Sequence, residues 1–87
     1  PVDNPATGEV LAKVPNLGAA ETTAAVEAAE AAFKPWAGKL AKERSAILRK
    51  WFELIMANQE DIAQIMTAEQ GKPLAESRGE VAYAASF

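Results

Sequence analysis

Residues 41 to 73 read AKERSAILRKWFELIMANQEDIAQIMTAEQGKP, and the spacing within this stretch decides the class of fold. Ile47, Leu48, Trp51, Phe52 and Ile55 recur at helical intervals and form one stripe, with Lys42, Glu43, Arg49, Lys50 and Glu53 on the other face. This predicts a helix over residues 42–57 whose apolar stripe faces a core. Asn58 reads both as the stop of that helix and as the N-cap of the next. Gln59, Glu60 and Asp61 follow it, and the two carboxylates meet the positive end of the helix dipole. Ile62, Ile65 and Met66 carry this third helix inward, and Gly71 ends it as a left-handed cap.

Working outward toward the N-terminus, Thr22, Val26, Ala29, Phe33 and Trp36 fall at alternating steps of four and three, which predicts a first helix from Ala19. Pro35 removes a backbone donor and Gly38 follows. Regular helix is therefore expected to stop near Phe33, with a looser turn through Leu40 and Trp36 folded back on the stripe. Asn4-Pro5-Ala6-Thr7-Gly8 is turn chemistry, and Val10, Ala12 and Val14 alternate with Leu11 and Lys13 before Pro15 closes the run. One short strand, half of a hairpin, is expected there. Only three residues precede the turn, so this strand reads as having lost its neighbour, although a free Pro1 could equally follow removal of an initiator Met.

Toward the C-terminus, Lys72-Pro73 restarts the chain, and Leu74, Arg78, Val81, Ala82 and Ala85 give a fourth helical period. It is expected to run to Phe87, because no Gly, Asn or basic last turn stops it, and it reads as a helix severed in mid-course. The expected fold is mainly α: a turn and short strand or hairpin over 1–18, then four helices over 19–87, together less than a complete domain.

Composition agrees with an incomplete unit. Of 87 residues, 20 are alanine, which favours helix but buries little area. Ordering the chain costs roughly 1–2 kcal/mol per residue, so a stretch this short is marginal alone. There is no Cys and no His, which excludes disulfides, thiolate nucleophiles, Ser-His-Asp triads and the usual zinc sites within these residues. A net charge of −3 argues against a nucleic-acid partner, and no apolar run approaches the roughly 20 residues that cross a bilayer. Pro-Val-Asp-Asn at the start has no basic or apolar leader character, so the cytoplasm is the default location.

Each place where chemistry could reside also has a plainer reading. Lys34, Lys39, Lys42, Arg44, Arg49 and Lys50 are interrupted by Glu43 and spread around a helix and its leading loop, as a solvated surface would be. Glu76 and Glu80, four apart, could share a proton or a metal, but no His or third acid lies nearby in sequence and exposed like charges explain them better. Gly71-Lys72-Pro73 lacks the paired glycines and the hydroxyl residue of a phosphate loop, and a helix cap followed by a helix start accounts for it. Glu69 is the acid that poses a question, because it stands in the last turn of its helix, where the dipole disfavours negative charge. Either a bound hard cation or Lys72 would resolve the conflict.

Three blocks, NPATGEVLAKVPNLGAAE (4–21), AKERSAILRKWFELI (41–55) and EQGKPLAESRGEVAYAASF (69–87), resemble the start of an aldehyde dehydrogenase of the succinate-semialdehyde type. The resemblance covers essentially the whole chain. It implies that residues 1–87 are the N-terminal part of a Rossmann-like α/β domain that binds NAD or NADP, with an opening hairpin strand and helices packed on its edge. It also implies oxidation of an aldehyde to its acid through a cysteine thiohemiacetal, hydride transfer and thioester hydrolysis. The family's cysteine, glutamate base, oxyanion asparagine, ribose-binding lysine and glycine-rich turn all lie outside these residues. No catalytic or cofactor-binding residue is therefore expected here. The expected partners are the remainder of the chain and further copies of it.

One family feature maps onto this stretch: an alkali cation held by a backbone oxygen just before the N-P-A-T-G turn and an acid just before G-K-P, which are Asp3 and Glu69 here, with a third ligand beyond Phe87. The family often has Asp where this chain has Glu69. Leu40 also departs from the pattern, standing where a Thr usually caps the second helix, a loss of about 1 kcal/mol. The competing expectation, from a different class, is a free-standing helical module that binds a partner helix through Ile47, Trp51, Phe52 and Ile55.

Overall fold

The computed structural model describes residues 1–87 as two short strands followed by four helices. β1 (Val2–Asp3) pairs antiparallel with β2 (Val10–Ala12), Val2 opposite Ala12 and Asp3 opposite Val10, with an irregular step between the two pairs. The strand thus has its partner. Two residues before the turn suffice because Asn4 organises the reversal. Its side-chain oxygen accepts from the Ala6 N–H at 2.9 Å, its carbonyl accepts from the N–H groups of Thr7 and Gly8, and its own N–H donates to Glu9 at 2.8 Å. Gly8 has φ +74°, a left-handed conformation that costs glycine little. β2 ends at Ala12, short of the expected Val14.

α1 (Ala19–Ala37) begins at the expected residue and runs a full turn past the expected stop. Pro35 sits in its last turn, where only one backbone bond is lost. The end is then closed by Gly38 N–H on the Lys34 carbonyl at 2.9 Å and by the Arg44 guanidinium, which donates to the carbonyls of Ala37 and Lys39. At its start the Glu21 carboxylate accepts from the Gly18 N–H at 3.0 Å. Glu21's own backbone N–H and that of Gly18 hold this carboxyl below its ordinary pKa. The Thr22 and Thr23 hydroxyls donate to carbonyls four residues back.

α2 (Ala41–Ala57) matches its expected span, but none of its residues is buried. Ile47, Leu48 and Trp51 are exposed and Phe52 and Ile55 half-buried, so the expected core behind the stripe is not supplied within these residues. On its polar side Arg49 pairs with Glu53 at 3.6 Å and lies 4.7 Å from the centre of the Phe52 ring. Trp36, expected to fold onto the stripe of α1, is 37% exposed.

α3 (Gln59–Gln70) and α4 (Leu74–Ala85) pack on each other through small side chains. Ala63, Val81, Ala85 and Ser77 are the buried residues, whereas Ile65, expected to point inward, is 58% exposed. The buried Ser77 hydroxyl is satisfied by Thr67 at 2.8 Å. Asn58 precedes α3 without a side-chain cap. Its amide donates instead to Leu54 at 2.8 Å, so it closes α2 rather than opening α3. Gly71 is the left-handed cap, φ +83°, its N–H on the Thr67 carbonyl at 2.8 Å. α4 stops at Ala85, two residues short of the expectation, because the Ser86 N–H and hydroxyl both turn back to the Tyr83 carbonyl.

By its contacts the chain divides into two units, residues 1–14 with 49–87 and residues 15–48. The first contains the hairpin, α3, α4 and every buried residue; the second contains α1 and no buried residue. No helix is long and apolar enough to cross a membrane.

Candidate functional site

The chemistry-bearing side chains lie in two places along α3: a polar tie to α4 at its start, and the hairpin turn against its end. Glu60, in the first turn of α3, receives two charge-assisted hydrogen bonds from Arg78 of α4, Nε to Oε2 at 2.7 Å and Nη2 to Oε1 at 2.9 Å. Gln64 adds a third donor at 3.2 Å, and Gln59 reaches the Arg78 carbonyl at 2.9 Å. The Arg78 guanidinium, with help from Gln64, lowers the Glu60 carboxyl to about 2. The same bond raises the pKa of Arg78. A carboxylate so engaged is a poor proton carrier, and the arrangement is a tie between helices.

Of the two acids four apart on α4, Glu80 pairs with Lys72 and not with Glu76. That pairing also takes Lys72 away from Glu69, for which it was one of two expected partners, the other being a hard cation. Glu69 stands exposed in the last turn of α3 with no ion pair. Asp3, also exposed, ends β1. The turn following Asp3 lies against the end of α3: a Cβ built on Gly71 would come 3.1 Å from the Pro5 ring. A shallow depression of about 390 Å³ lies here, lined by Asn4, Ala6, Gln64, Thr67, Ala68, Gly71 and Leu74.

The structure therefore brings the turn beside Asp3 and the helix end beside Glu69 into one neighbourhood. It contains no group of three acidic, His or Cys side chains that could hold a metal ion. A hard cation such as calcium takes about six to eight oxygens, so two donors from this chain do not make a closed site. Sequence reasoning missed the Glu60–Arg78–Gln59 tie, whose partners lie 18 and 19 positions apart. The only signal was an acid and an amide in the first turn of one helix and a lone arginine on the next.

Comparisons with known proteins bear on what surrounds this geometry. A model of the aldehyde dehydrogenase family matches residues 1–87. Glutarate-semialdehyde dehydrogenase of Pseudomonas putida is 63% identical over 86 residues, 99% of this chain and 18% of that protein. The NADP-dependent succinate-semialdehyde dehydrogenase GabD of Escherichia coli K12 is 57% identical over the same 99% and 18%. Among solved structures, an aldehyde dehydrogenase from Brucella melitensis biovar abortus superposes with a TM-score of 0.96 at 62% identity, covering 99% of this chain and 18% of that one. The chain thus spans about 18% of the length of the relatives it matches. With a likeness that runs through every element of the fold, from the hairpin to α4, the chain belongs to the aldehyde dehydrogenase family.

Proposed function

We propose that these residues are the N-terminal scaffold of the NAD(P)-binding domain of a cytoplasmic aldehyde dehydrogenase that oxidises succinate semialdehyde to succinate. The observation that carries the reading is identity of 55–57% to succinate-semialdehyde dehydrogenases across essentially the whole chain. In it, the strands and helices position no reacting atom. They supply an edge on which the remainder of the chain folds, and the nicotinamide cofactor, the nucleophile and the substrate pocket lie elsewhere. The whole protein is proposed to assemble with further copies of itself. The 63% relative named for glutarate semialdehyde supports a second substrate, one carbon longer and with the same terminal carboxylate. A free-standing helical module is less well supported, because the matches are to enzymes over the full 87 residues.

The test is expression of the gene at the length of its own reading frame. Purified protein should reduce NAD or NADP with succinate semialdehyde, read at the nicotinamide absorbance, with glutarate semialdehyde as the comparison substrate. Residues 1–87 alone should be inactive. Absence of turnover with both aldehydes and both cofactors overturns the reading.

The proposal extends to an alkali cation bound by the Asp3 carbonyl and the Glu69 carboxylate, with its remaining oxygens outside these residues. Exposure of Glu69 without an ionic partner, at a helix end that repels it, supports this. The thermal midpoint of the full-length protein should be higher in potassium or sodium chloride than in choline chloride at equal ionic strength. Glu69→Gln should abolish that difference; an unchanged difference would remove Glu69 from the site.

A further inference from the structure

We draw no further inference here: the strongest candidate, the exposed apolar patch on α1 around Val26, Ala29 and Phe33, is an unpartnered helix face and nothing in the structure shows what covers it.

Discussion

Leu40 shows how one residue can lower the stability of a helix without preventing it. It occupies the cap position before α2, where a hydroxyl or carboxamide would accept from the N–H groups of the first turn. Only the reciprocal half of that device is present, with the Leu40 N–H donating to Glu43 Oε2 at 2.8 Å. The Leu40 side chain is 70% exposed, so little packing is lost by replacing it. Leu40→Thr should therefore stabilise the chain by about 1 kcal/mol, seen as a higher midpoint in urea with an unchanged slope. A lower midpoint would show that Leu40 contributes packing that outweighs the missing cap. Gly71 was legible for the opposite reason. A helix end followed by Lys-Pro needs a residue that tolerates φ +83°, and the close approach of Pro5 adds a steric demand that no local pattern announces.

Among elements, the pairing of α3 with α4 is the best-defined contact, and it rests on small residues and one ion pair. Ala63 and Ser77 are fully buried because they are short enough to lie between the two helices, while the larger Ile65 is displaced to the outside. Helical periodicity marks which large residues share a face, but it does not say that a face of Ala, Ser and Val will be the one that meets a neighbour. Hence the two helices and, on α4, Val81 and Ala85 were foreseen, whereas Ala63 and Ser77 were not. The Glu60–Arg78 tie makes this contact pH-dependent. The unfolded Glu60 carboxyl takes its proton near the ordinary carboxylate value, whereas the folded one holds it off until about 2. Between those two values the unfolded chain binds more protons, so the stabilisation is full above the ordinary value, declines through the window and is absent below about 2. The effect is small, since both partners are about half exposed and screened by salt. Glu60→Gln should flatten the part of the stability–pH curve between about pH 5 and 2, measured by urea denaturation in low salt. An identical slope in the variant would mean that other carboxylates set the acid limit.

For the molecule as a whole, the balance between covered and exposed apolar surface is decisive. The fully covered side chains are few and small, while Phe33, Trp51, Leu54, Tyr83 and Phe87 are each at least half exposed. Burial contributes roughly 25 cal/mol per Å² of apolar surface, so side chains left outside add almost nothing against the entropy of ordering the chain. Residues 1–87 by themselves should bind a dye such as ANS at neutral pH and melt over a broad range. A sharp, dye-silent transition would contradict this account of where the stability lies.

Sequence alone determined the local features of this protein: the helices, the Asn4-to-Gly8 turn, the left-handed stop at Gly71 and the family to which the three matched blocks point. These are governed by interactions within a few residues, which pattern and capping chemistry report directly. Tertiary structure alone decided which stripes are covered, that two residues suffice to pair β2, and that Lys72 joins Glu80 rather than Glu69. Those outcomes depend on which groups meet across the folded chain, where a nearby opposite charge or a close-fitting small residue wins over any preference of the local segment.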